Sequence, residues 1–277
     1  MSSLRERTFQ ALVHRTTEPR SEFFGADGLV VAPHQDDETL GCGGTIARKV
    51  HAGAKISVLF MTDGSGSHAH LMPRHELSLL RRAEAIAACG LLGVPEDRIY
   101  FLDFRDGELS SEATRAARSV AEVLERCRPA QVYVPHREDG LSDHNVTHDA
   151  VAAACRMSNL SPLWVEYPIW LWDQWPWTNP LAAPRGRRGR RQVLRTTAHT
   201  RLGLQMNRLL NVRVEVRDVL GIKARALAEH QTQVSRYGGR GDWVTLGDID
   251  SGVWLSNFAR PYEFFRMGHS PAPGRGS

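Results

Sequence analysis

Five short runs rich in Val, Leu, Ile and Phe, each parted from the next by a helix-patterned segment, restrict this 277-residue chain to a small set of folds. The strand-like runs are Gly28 to Ala32, Lys55 to Met61, Arg98 to Leu102, Gln131 to Pro135 and Leu163 to Ile169. Helical patterns fall at Gly44 to His51, Arg74 to Leu92, Ser111 to Arg126 and Asn145 to Met157. Strands joined through helices pair in parallel by right-handed crossovers, which predicts a single Rossmann-like α/β domain, a mostly parallel sheet with helices on both faces. Val212, Val214 and Val216 alternate with Arg213, Glu215 and Arg217, adding a later strand with one wet face and hence an antiparallel edge. Asp218 then reads as the cap of a helix that carries Lys223 and His230 on one face. Residues 1–25 form an N-terminal arm and residues 26–277 the domain, with a Trp- and Arg-rich insertion around 164–191.

The first strand ends abruptly at Pro33 and runs into His34-Gln35-Asp36-Asp37-Glu38, with Gly41, Gly43 and Gly44 just beyond. Three carboxylates side by side repel one another unless a cation lies between them. The carboxyl ends of strands are where open α/β sheets place their ligands, so this loop reads as half of a metal site. A second half is offered by Asp139 to His148, which follows the strand at Gln131 to Pro135. Ser142 or Asp143 is the expected cap of the helix there, which puts His144 in its first turn facing the same crevice. His34, Asp37 and His144 together make two imidazoles and one carboxylate, a set that suits zinc with a fourth position open to water. Asp36 cannot easily reach the coordination position of its neighbour and is free to face that water as a general base. His148, four residues after His144, is an alternative ligand on the same helical face.

These residues resemble the PIG-L/LmbE-like N-deacetylases, whose signature is a strand followed by His-Pro-Asp-Asp-Glu and later a His-x-Asp-His or Asn-His. This chain has His34-Gln35-Asp36-Asp37-Glu38 and Asp143-His144, and the likeness continues through Arg81-Arg82-Ala83-Glu84, Leu91 to Val94, Asp106-Gly107, and Ala226, His230, Thr232 and Gln233. It covers residues 28 to 235 in family order. The resemblance implies zinc-dependent removal of an N-acetyl group from an N-acetylglucosaminyl-type conjugate. It carries His34, Asp37 and His144 over as ligands and Asp36 as the base that serves metal-bound water. His230 is a further catalytic candidate, and Asp106, Arg82 and Trp172 are candidates for substrate contact. Two positions depart from the pattern: Gln35 replaces the usual Pro, and Leu141 replaces the first His of His-x-Asp-His, a residue thought to stabilise charge in the reaction. His136, His148 and His230 are each able to supply the missing donor.

Plainer readings compete. A dinucleotide loop at Gly41 to Thr45 is disfavoured, because the acidic turn repels a pyrophosphate. Metal-assisted phosphoester hydrolysis would recruit two metals from a richer carboxylate set. Five tryptophans between Trp164 and Trp177 either stack on a sugar or pad the sheet with one or two reaching the crevice. The arginines at 185, 187, 188, 190 and 191 exceed the net charge of the whole chain, +4, so the basic balance is one local run. That run steers an acidic substrate or is a solvated loop. Together with the tryptophans it keeps open a second class, a non-catalytic binding protein for glycans or anionic ligands, nucleic acid among them, on the same fold. The expected partner is a small amino-sugar conjugate rather than nucleic acid, and a homo-oligomer is compatible with the sequence. No apolar run reaches the ~20 residues of a membrane helix, and Cys42, Cys89, Cys127 and Cys155 form no Cys-x-x-Cys pair, which together predict a cytoplasmic protein with reduced thiols.

Overall fold

The computed structural model describes residues 3–179, 194, 197, 198 and 206–268. Five parallel strands form the centre: β1 (Gly28–Ala32), β2 (Ile56–Thr62), β3 (Ile99–Phe104), β4 (Gln131–Pro135) and β5 (Leu163–Tyr167). β6 (Val212–Glu215) and β7 (Tyr262–Gly268) complete a seven-stranded sheet of order β3-β2-β1-β4-β5-β7-β6, with β7 antiparallel to both neighbours. The antiparallel edge is therefore a pair, and its inner member, β7, carries no strand signal in the reading above.

Every residue of β1, β2 and β4 is buried. Helices cover both faces, which is why these strands read as unbroken apolar runs. The two-residue period of a strand splits the core. Val30, Ala32, Val58 and Phe60 pack toward α3 (Asp37–His51) and α4 (Arg74–Leu91), whereas Leu29, Val31, Leu59 and Met61 pack toward α5 (Ala113–Cys127) and α6 (Ser142–Met157). The N-terminal helix Leu4–Arg15 joins the first of these layers through Phe9 and Leu12, Phe9 meeting Phe264 edge-on at 5.7 Å.

Three local expectations are corrected. α3 starts at Asp37 rather than Gly44, so the acidic turn lies inside its first turn, where the partial positive charge of the helix terminus favours carboxylates. A Cβ on Gly44 would lie 2.6 Å from Val216, so glycine is what lets this helix approach the following layer. Neither Ser142 nor Asp143 caps α6; Leu141 holds that position, and Asp143 accepts from the Gly107 N–H instead. The helix after Asp218 spans Leu220–Glu229, and its carboxyl end stops before His230, whose φ of −75° and ψ of 54° break the chain into a short turn, Gln231–Val234. Lys223 and His230 therefore do not share one helix face, and Asp218 lies one turn early, 4.0 Å from Arg48.

A buried ion pair fixes α3 against the sheet edge. Glu263 on β7 accepts from the Gly44 and Thr45 N–H groups at 2.7 and 2.8 Å and from Lys223 Nζ at 2.7 Å, while Lys223 also donates to the Leu40 carbonyl. With each charge hydrogen-bonded more than once, burial of the pair is tolerable. No helix among the described residues is long and apolar enough to cross a membrane.

Candidate metal centre and its cleft

The strand order reverses beside β1: β2 and β3 lie to one side, β4 and β5 to the other. Loops leaving the carboxyl ends of β1 and β4 meet there, at the crevice such sheets use for ligands. His34, Asp37 and His144 offer ligand atoms that all lie within 4.8 Å of one another. His34 Nδ1 is 3.3 Å and His144 Nε2 3.4 Å from Asp37 Oδ2.

His144 Nδ1 lies 2.8 Å from Asp139 Oδ2, which orients the ring and turns Nε2 toward Asp37. That Nε2 is buried and has no hydrogen-bond partner, an expensive state for an imidazole nitrogen unless a cation takes its lone pair. Two imidazoles and a carboxylate, with both His144 ring nitrogens outside any hydrogen bond and Nε2 turned toward Asp37, fit a divalent metal ion. His34, Asp106 and Asp143 form a second convergent group around the same imidazole, but both carboxylates already accept backbone N–H bonds, from Gly66 at 2.7 Å and Gly107 at 2.8 Å.

Burial and charge compete at each group. For Asp37 burial opposes ionisation, yet the His144 and His34 imidazoles hold its carboxyl below the usual range. For His34 burial disfavours the cation, but Asp106, Asp143 and Asp37 together raise it well above the ordinary imidazole value. Asp106 is likewise held low against its burial by His34 and the Gly66 N–H. Asp36 alone goes the other way: burial and the neighbouring Asp37 push its carboxyl up to about 7. Its backbone has φ 154° and ψ −27°, a conformation L-residues seldom adopt. Glu38 holds it there, accepting from the Asp36 N–H at 3.0 Å through Oε2 and from His230 Nε2 at 2.9 Å through Oε1.

The motif residues that follow are explained as struts around this turn. Thr232 donates to Glu84 from both N–H and hydroxyl, and Gln233 donates to the Gln35 carbonyl. The Gln35 side chain donates to the Thr62 carbonyl at 2.7 Å and ties the loop to the end of β2.

A cleft of about 320 Å³ opens above the centre. His34, Asp36, Asp37 and Asp106 reach it; His144 supports it from below, fully buried. Of the remaining sequence candidates, His230 does not line the cleft and is bonded to Glu38. Arg82 does not line it either: it pairs with Asp103 at 2.7 Å and lies over the Phe101 ring. Trp172 is buried edge-on against Trp177 at 4.9 Å. Among the tryptophans from 164 to 177, Trp170 lines the cleft, stacked on Trp254 at 4.9 Å. His136 and His148 lie behind the site, near Glu166 at 3.7 and 3.9 Å. The arginines at 185–191 fall outside the described residues.

Sequence reasoning passed over two cleft residues. Arg81 is buried, donating to the Gly64 carbonyl and to Ser67 Oγ, and its Nε has no partner. Its signal was present, since Leu77, Arg81 and Ala85 form the buried i, i+4 stripe of α4. His68 stacks on Trp243 at 4.1 Å and bonds the Val244 carbonyl at 2.8 Å; as a lone His in a Gly/Ser-rich loop it gave no signal.

The family described as PIG-L, GlcNAc-PI de-N-acetylase, matches residues 29–155. A diacetylchitobiose deacetylase of Thermococcus kodakarensis is 38% identical over 109 residues, 39% of this chain and 39% of that protein. A 1D-myo-inositol 2-acetamido-2-deoxy-alpha-D-glucopyranoside deacetylase of Mycobacterium sp. (strain KMS) is 30% identical over 239 residues, 75% of this chain and 74% of that protein. The fold is similar to that of an N,N'-diacetylchitobiose deacetylase from Pyrococcus horikoshii, with a TM-score of 0.61 at 20% identity over 97% of this chain and 94% of that one. With the ligand set, the acidic turn and its struts all in family order, and a relative matched over three quarters of its length, this chain belongs to the PIG-L family of deacetylases.

Proposed function

We propose that the protein is a zinc-dependent hydrolase that removes the N-acetyl group from an amino-sugar conjugate of the N-acetylglucosaminyl type. One observation carries this reading. His34, Asp37 and His144 converge with an orphaned nitrogen, while the adjacent Asp36 carboxylate remains outside the ligand set and faces the cleft. Relatives named as deacetylases of acetamido sugars support the substrate class.

His34, Asp37 and His144 would hold the zinc, which when bound lowers the pKa of a water to about 7 and polarises an amide carbonyl. Asp36 takes the proton from the attacking water and returns it to the departing amine. The strained turn around Asp36, held by Glu38 and behind it His230, keeps that carboxylate aimed while the substrate changes shape. His230 is on this reading a positioning residue. Asp106, bonded to the Gly66 N–H and facing His34, is the substrate-side acceptor for sugar hydroxyls. The family histidine is absent at Leu141, and His136, His148 and His230 do not line the cleft. Arg81, which lines the cleft within reach of the Asp36 and Asp106 charges, is the cation available to stabilise charge developing there.

Zinc-loaded protein incubated with N-acetylglucosamine conjugates should release a free amine and acetate in equal amounts. Absence of amine release across N-acetyl and longer N-acyl glucosamines, with zinc bound, would refute the reading.

A further inference from the structure

The cleft has two unlike halves, and they follow the sheet. Ser67 and His68 come from the loop after β2, Asp106 from the loop after β3, and Arg81 from α4 between them, so the half over β1 to β3 is polar and charged. Leu141 comes from the loop after β4, and Ile169 and Trp170 from the turn after β5. Trp254, stacked on Trp170 at 4.9 Å, continues that side with Ile249, making the half over β4 and β5 the more apolar, while Val244, whose carbonyl bonds His68, adds apolar surface beside the polar half. The metal centre stands between them, because its ligands leave β1 and β4.

A secondary amide is planar and trans, so its nitrogen substituent and its acyl chain point away from each other. If the scissile amide lies at the centre, one substituent enters each half. The sugar hydroxyls match the half that holds Asp106, Arg81 and His68. The acyl chain is left with an apolar wall far larger than a methyl group can cover.

We infer that this site takes an N-acyl amino sugar whose acyl group is larger and more apolar than acetyl, a medium-length alkanoyl or an aryl group, and that the apolar half is the acyl pocket. The inference rests on the amide hydrolysis proposed above. Each methylene moved from water into such a wall adds to binding in proportion to the apolar area it buries. A gain in kcat/KM of roughly tenfold or more from N-acetyl to N-hexanoyl glucosamine is therefore the expected effect, within the range hydrophobic pockets provide.

The test is a kcat/KM series on zinc-loaded protein with glucosamine acylated by acetyl, butanoyl, hexanoyl, octanoyl and benzoyl groups, with octyl N-acetylglucosaminide as the amine-side control. A rise along the acyl series, and a several-fold fall of the octanoyl-to-acetyl ratio in Trp170→Ala and in Ile249→Ala, support the acyl pocket. The Leu141→Ser variant, a smaller perturbation, should lower the same ratio and keeps the test alive where a tryptophan variant does not fold. Rates that stay flat or fall with acyl length, while N-acetylglucosamine is hydrolysed, overturn the inference and leave the deacetylase reading intact. A gain confined to the octyl glycoside also overturns it, by placing the apolar half against the amine-side substituent.

Discussion

Two buried groups of two imidazoles and a carboxylate lie close together in this molecule, and α6 contributes a histidine to each. His34, Asp37 and His144 converge on a cleft; His136, His148 and Glu166 face one another in a sealed space, with His148 edge-on against Trp164 at 5.3 Å. The donor chemistry is the same, and every member but His34 is buried. Access and orientation differ. The His34 side chain is 19% exposed, whereas His136 and His148 are 1% and 2% exposed. His144 is aimed by Asp139, which also accepts from the Ile169 and Leu171 N–H groups and so fixes the ring to the cleft wall. In the sealed group Glu166 stands 3.7 Å from His136 and 3.9 Å from His148; each Nε2 is as unpartnered as that of His144, but neither ring lines the cleft. For His136, burial dominates and lowers the imidazole below its ordinary value; for His144, Asp37 and Asp139 outweigh burial and raise it. A chemical inventory does not make a site; a neighbour such as Asp139 that aims the donors at an opening does.

The contrast can be broken most severely at Asp36. Asp36→Asn keeps the size of the side chain and removes the base, so amide hydrolysis should fall by ~10²–10⁴ while metal content stays at the wild-type level. Near-normal turnover, measured by amine release, would take Asp36 out of its role. Asp139→Asn probes the aiming of His144. Replacing the carboxylate oxygen by an amide should weaken zinc affinity by about 10- to 100-fold in competition with a chelator, whereas unchanged affinity would make Asp139 a mere strut for the cleft wall.

The sealed group should answer differently. Glu166→Gln is expected to cost about 1–3 kcal/mol of stability through the buried histidines it faces, read by chemical denaturation, with zinc stoichiometry unchanged. A loss of bound zinc there would erase the distinction between the two groups. Lys49 gives the smallest and most specific effect. Buried in the last turn of α3, it donates to the Phe23 carbonyl and to Gln131, and burial pulls its ammonium down to about 8. The folded value is below the unfolded one, about 10.4, so between these two values the unfolded chain binds more protons and stability rises with pH. Both Lys49 acceptors keep another donor, Gln131 Nε2 on the Phe23 carbonyl and the Tyr133 hydroxyl on Gln131 Oε1. Lys49→Met should therefore remove that rise without leaving an unsatisfied group. Parallel pH profiles for the two proteins would contradict the assignment.

Much of this was legible in the chain because parallel strands buried on both faces announce themselves as apolar runs, and the loops that end them carry the chemistry. β1 and β4 were readable to the residue. β7 was not, since its buried Glu263 belongs to an ion pair whose partner, Lys223, lies 40 residues earlier. Arg81 and Arg82 illustrate a finer limit. Adjacent helical residues diverge by about 100°, and only the buried stripe from Leu77 to Ala85 decides which one faces the cleft. The His230 hinge ends a helix without a Gly or Pro to mark it, so periodicity alone carried the helix too far. Leu246, Ile249 and Trp254 come from a stretch of short 3-10 turns with no regular period, and only the folded chain brings them into the cleft, with Trp254 against Trp170.

The most direct test of the central claim is an anomalous difference map, recorded across the zinc absorption edge, from crystals of the protein loaded with zinc. The account predicts one strong peak per chain, at about 2.0–2.2 Å from a nitrogen of His34, an oxygen of Asp37 and Nε2 of His144, and its loss in His144→Ala. A peak between His136, His148 and Glu166, or one held by Asp106 and Asp143 without His144, would contradict it.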